Sequence, residues 1–193
     1  MKNSFLQKKI NDVNNVVEES KQLFAYLSDE QFITKPNLKK WSVCECFNHL
    51  FITGSLYLPK IKNAIEYLKS NNIFEGSSYK PSFTGRFFYY SLRPESKIKL
   101  KTFKIFKPEN NFSDLSIKEK FLNQQKEFIE LIKSADGYDL NRIKFSSPVS
   151  NLFKFSLGDA ILIVTVHLQR HLLQARKLTN NKDHILKENY RFS

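Results

Sequence analysis

The chain has 193 residues, 41% of them hydrophobic, with 18 Phe and 8 Tyr, which suits a single domain over residues 1–193 with one sizeable core. Only 5 Gly and 6 Pro argue against a turn-rich all-β fold, and the longest apolar run, Ala160 to Val166, is too short to span a bilayer. The net charge of +12 rests on Lys, with Arg, the preferred reader of bases, at only six positions, so a nucleic-acid partner is not expected.

Four amphipathic helices can be read in chain order. The opening MKNSFLQKKINDV lacks the apolar stretch of a signal peptide, and the first helix carries Leu6, Ile10, Val13, Val17, Phe24 and Leu27 on one face. SDEQF then reads as a short extra turn, followed by a loop through Pro36. The second helix opens on a capping box, Ser42-x-x-Glu45, and runs through Leu50, Tyr57, Ile61, Ile65 and Leu68; Pro59 inside it is expected to bend it. A third helix opens on a second capping box, Ser116-x-x-Glu119, and runs through Ile117, Phe121, Phe128 and Ile132 to a stop at Gly137. The fourth starts near Ser156, with Asp159 at its third position, and carries Ala160, Ile161, Val164, His167, Leu168, His171, Ala175 and Leu178.

No convincing sheet is legible, so the expected fold is all-α, a four-helix bundle. The crossover between the second and third helices, residues 74–115, shows no clear helix of its own. Within it, KIKLKTFKIF (97–106) alternates charged and apolar residues and is expected to be partly extended, while RFFYY (86–90) is too apolar to stay in water and is expected to pack. The segment is expected to cover one end of the bundle, where it either presents a solvated charged face, the commoner outcome for such a run, or binds an anionic substrate or closes as a lid.

HLQRHLLQ places His167 and His171 one helical turn apart, about 6 Å between Cβ atoms on one face. Both rings share that face with Ala160, Val164 and Leu178, so they point inward, where idle imidazole nitrogens are costly. His49 lies on the Cys46, Leu50 and Thr53 face of the second helix and also points inward. Three imidazoles from two helices would hold a divalent ion and leave a fourth position open, the arrangement of a catalytic site rather than a structural one.

WSVCECFNHL followed by HLQRHLLQ resembles the DinB/YfiT-like superfamily of metal-dependent enzymes, and LSDEQF, KPNLKKWS and SLGDA extend the resemblance over nearly the whole chain. The resemblance implies an up-down-down-up bundle. It also implies a divalent metal, zinc or nickel most often, on His49, His167 and His171, and a chemistry using a low-molecular-weight thiol. A homodimer is plausible by the same analogy.

Other residues have plainer readings beside the functional ones. Glu45, one turn before His49, either closes its capping box or orients the His49 ring. Gln174 can face the site, Arg170 is expected to pair on the surface, and Thr53 and Tyr57 line a pocket or simply pack. Cys44 and Cys46 are two positions apart and cannot bridge each other; they read as buried thiols in a reducing, cytoplasmic protein, with Cys46 the nearer to the site. His184 reads as a surface residue.

The function expected is that of a thiol S-transferase or a hydrolase acting on a small molecule, with a metal-bound water or thiolate as the reacting group and no separate general base in view. The alternative is a non-catalytic metal- or partner-binding helical module.

Overall fold

The computed structural model describes residues 1–98 and 101–179. Its elements are α1 (Ser4–Tyr26), α2 (Asp29–Ile33), α3 (Val43–Ser70), α4 (Phe83–Leu92), a 3-10 turn (Lys104–Phe106), α5 (Ile117–Ser134), β1 (Lys144–Ser147), β2 (Ser150–Ser156) and α6 (Leu157–Thr179).

Helices α1, α3, α5 and α6 form the bundle. Leu6, Ile10, Val13, Val16 and Leu23 of α1, Leu50, Ile61, Ile65 and Leu68 of α3, Phe121, Phe128 and Ile132 of α5, and Ile161, Leu168 and Leu172 of α6 meet in one core. Each such side chain contributes about 1.5–3 kcal/mol by leaving water. Contacts at the two ends fix the helix directions. At one end Phe24, near the end of α1, packs edge-on against Phe47 at the start of α3, which packs against Phe121 at the start of α5. Near the same end Arg176, in the last turn of α6, pairs with Glu19. At the other end Asp136, just past α5, accepts from the amide of Asn3 before α1, and Phe74 bridges to Tyr138. The order is therefore up-down-down-up.

Local chemistry sets the element boundaries. Ser42 accepts from the Glu45 amide while the Glu45 carboxylate accepts from the Ser42 amide, the reciprocal cap expected there. Ser28 and Gln31 do the same for α2. Ser156 and Asp159 repeat the pattern at the start of α6. Helix α3 runs on through Pro59, whose missing N–H leaves the Ser55 carbonyl without its helical donor. Gly137 follows α5 at φ +87, a conformation that costs a residue with a Cβ.

Three expectations need correction. Ser116 makes no cap: it is already helical at φ −61, ψ −14, and its hydroxyl and amide both donate to Asp114, which organises the turn before α5. Residues 144–156, in a chain where no sheet was expected, form an antiparallel hairpin pairing Lys144 with Ser156 and Phe145 with Phe155, with an irregularity at Ser146/Ser147. The crossover holds a helix of its own. Ser82 caps α4 by accepting from Gly85, and α4 lies on α6 and the hairpin, with Phe88 against Phe153 and Phe155. Phe88 packs as RFFYY led one to expect, but Phe87 and Tyr90 face outward and stay about half exposed. Among the described residues of 97–106 no strand forms; the segment ends in the 3-10 turn.

Two anchors hold the crossover on the bundle. The buried carboxylate of Asp159 accepts from Tyr79 Oη at 2.8 Å and from the Ser82 amide at 3.1 Å. From the middle of α6, Arg170 donates to the carbonyls of Ser91, Arg93 and Ile98 at 3.2, 3.1 and 2.9 Å.

Candidate metal centre

Helix α3 delivers His49 two turns after its cap, and α6, packed along α3, delivers His167 and His171. Their ring centroids lie 4.9 Å (His49–His167), 4.5 Å (His49–His171) and 4.5 Å (His167–His171) apart. One nitrogen from each ring falls within 4.8 Å of the other two, and among the described residues this is the only such grouping of possible metal ligands.

The tautomer of His49 is set by its surroundings. Its Nδ1 donates to the carbonyl of Phe106 at 2.6 Å, so Nε2 carries the free lone pair and points at His167 Nε2, 3.1 Å away. Two nitrogens bound to one tetrahedral ion at about 2.0–2.1 Å would stand about 3.3 Å apart, so the observed separation suits a shared cation. His171 Nδ1 is buried and has no hydrogen-bond partner among the described residues, the loose end expected of a ring whose environment is completed by a cation. The residues present fit a divalent metal.

Electrostatics keep all three rings neutral, as metal ligation requires. Burial lowers the His49 pKa, with the Phe106 carbonyl pulling the other way. For His167, burial leads, followed by the charges of His171, His49 and Arg170, and the pKa falls well below the ordinary imidazole value. His171 falls well below it too, through burial and then His49, while the Gln174 side chain beside it works in the opposite sense and Arg170 adds to the fall. His49 is buried; His167 and His171 are half-buried overall, because part of each ring faces a cavity.

That cavity measures about 680 Å³, within the size range of small-molecule sites. Trp41 forms one wall, its ring 5.0 Å from His49 and 6.2 Å from His171. Thr53, Tyr57, Phe106 and Gln174 also line it. Thr53 donates to the His49 carbonyl, and Tyr57, whose pKa burial raises, stacks on Phe106.

Several candidates take other roles. The Glu45 carboxylate is fully occupied by the Ser42 and Asn111 amides and by Lys35, and the His49 ring is oriented instead by a backbone carbonyl of the crossover. Cys44 donates weakly to the Asp114 carbonyl at 3.8 Å, and burial, with the Asp114 and Glu45 charges, pushes its thiol up to about 12. Cys46 is fully buried and its pKa is raised further, by burial first, so neither thiol is an available thiolate. Arg170 faces the crossover carbonyls rather than a surface carboxylate. His184 lies outside the described residues.

Phe106 and the Arg170 clamp were missed in the sequence. The Phe106 contribution is a main-chain oxygen, which no residue type announces. The clamp depends on where a long connection returns.

A bundle with a three-imidazole cluster beneath an open cavity defines the class. The chain belongs to the DinB superfamily, whose sequence model matches residues 15–175. No curated protein and no solved structure matches it. No helix among the described residues is long and apolar enough to cross a membrane.

Proposed function

We propose that this protein is a metal-dependent enzyme in which His49, His167 and His171 hold a divalent cation, zinc or nickel, and that it joins a low-molecular-weight thiol to a small electrophilic substrate. The observation that carries the reading is the approach of His49 Nε2 to His167 Nε2 with the outer nitrogen of His49 fixed on Phe106. Such a cation would supply Lewis acidity, lowering the pKa of a thiol or a water toward neutrality.

The protein's own residues do the rest. Phe106 locks the His49 ring so that its lone pair needs no reorientation, and the Gln174 side chain stands beside His171. Trp41, Tyr57 and Phe106 form a wall beside the histidines whose low polarity strengthens charge interactions there. An open cavity above the rings favours a catalytic over a closed structural site.

Among the described residues no carboxylate lines the cavity to serve as a general base toward water, which favours sulfur transfer over hydrolysis. A reducing, cytoplasmic setting, in which a low-molecular-weight thiol stays free, suits this chemistry. The test is loss of free thiol when the metal-loaded protein is mixed with a low-molecular-weight thiol and an alkyl halide. Turnover abolished by a chelator and restored by metal supports the reading; a rate indifferent to chelation contradicts it.

A further inference from the structure

The mouth of the cavity carries a charge pattern that holding a metal does not require. Lys39 and Lys40 reach it from the loop before α3, Lys101 from the crossover and Lys177 from the last turn of α6, and among the described residues no Asp or Glu lines the cavity. All four lysines are exposed, and none takes part in an ion pair among the described residues.

A lone lysine in water needs no explanation. Four brought from three distant stretches of chain to one opening repel one another, and no carboxylate among the described residues of the lining offsets it. The same lining carries a set of apolar side chains, Trp41, Phe88, Leu92, Phe103, Phe106 and Ile163. Arg170 is engaged by backbone carbonyls, so the free positive charge lies at the rim rather than in the depth.

We infer that the cavity takes an amphipathic organic anion, with a carboxylate or phosphate group among Lys39, Lys40, Lys101 and Lys177 and an apolar body against Trp41, Phe88 and Phe106. This rests on reading the cavity as the substrate site, and it names the substrate's class. The charged end stays at the mouth, and the far end of the apolar body reaches the histidines. An anionic group at a lysine rim also gains in encounter rate from the +12 charge of the chain.

Trp41 is the only tryptophan of the sequence and lines the cavity, so its fluorescence reports occupancy directly. The full chain is titrated, before and after chelation, with decanoate, decyl phosphate, decanol and decyltrimethylammonium below their micelle concentrations, and with inorganic phosphate. Both decyl anions are expected to shift Trp41 emission at concentrations at least about 10-fold below decanol, equally well after chelation, with the preference shrinking as salt rises. Inorganic phosphate at the same concentrations is expected to leave the emission unchanged. In the exposed-site variant Lys39→Gln/Lys40→Gln/Lys101→Gln/Lys177→Gln the anion preference is expected to fall to within about twofold of decanol.

Equal response to decanol and decanoate overturns the inference. So do a shift from inorganic phosphate matching that of decyl phosphate, a preference retained in the variant, or silence toward every probe. Metal content measured on the same samples separates the two readings. Bound metal without anion preference defeats only the substrate class, and anion preference without metal defeats only the metal centre.

Discussion

Replacing Arg170 by Met tests whether the crossover is clamped onto the bundle from α6. Met keeps most of the apolar stem and removes the guanidinium, which donates to the carbonyls of Ser91, Arg93 and Ile98 at 2.9–3.2 Å. A hydrogen bond from a charged donor contributes about 1.5–3 kcal/mol in net terms. The three share one half-exposed group, and water can reach the released carbonyls. The expected loss is therefore about 2–3 kcal/mol rather than the full sum. The loss is local as well as global, because 91–98 would lose its tie to α6. Hydrogen exchange at the Arg93 and Ser96 amides, which bond to the Tyr89 and Arg93 carbonyls, is expected to quicken about 30- to 150-fold, the equivalent of that energy. Urea unfolding measures the global part. A change below about 0.5 kcal/mol, with exchange at those amides unaltered, would refute the clamp.

The histidines predict a pH dependence of the metal-free protein. All three folded pKa values are lowered from 6.5, so the unfolded chain binds more protons, and the stability from neutral rings is present above about pH 6.5 and lost as pH falls below it. Each ring adds a slope of up to about 1.4 kcal/mol per pH unit. Glu19, whose carboxyl burial raises against Arg176, works in the opposite sense at the acid end. Urea melts from pH 7.5 to 5.5 are expected to show a steep fall that His167→Gln/His171→Gln flattens; equal slopes in both proteins would contradict the neutral cluster. Gly85→Ala places a Cβ 2.1 Å from Asp159 Oδ1, an oxygen pinned by Tyr79 and Ser82, and is expected to cost about 1–3 kcal/mol or more. An unchanged melting temperature would show that α4 is not seated as described.

The bundle and the three histidines were legible because both are written in helical periods. Apolar residues three and four apart gave the helix faces, the Ser42-x-x-Glu45 and Ser156 starts fixed the phase of α3 and α6, and that phase alone turns His49, His167 and His171 inward. What escaped depends on tertiary return. Helix α4 is short and carries Phe83, Phe87 and Tyr90 outward, so its apolar pattern does not mark a buried face; the Ser82 cap was its available signal. The hairpin was hidden because Leu152 and Lys154 are exposed beside the half-buried Phe153, which blurs a period of two. Ser116-x-x-Glu119 carries the cap pattern, yet Asp114 two residues earlier takes the Ser116 hydroxyl first.

The most direct measurement is metal stoichiometry by elemental analysis after dialysis against zinc or nickel and removal of excess ion. One ion per chain is expected for the wild-type protein and for Cys46→Ala, and less than about a tenth of that for His49→Ala, His167→Ala and His171→Ala, with circular dichroism confirming that each variant remains helical. A folded His171→Ala protein that keeps a full equivalent of metal would contradict the three-imidazole centre.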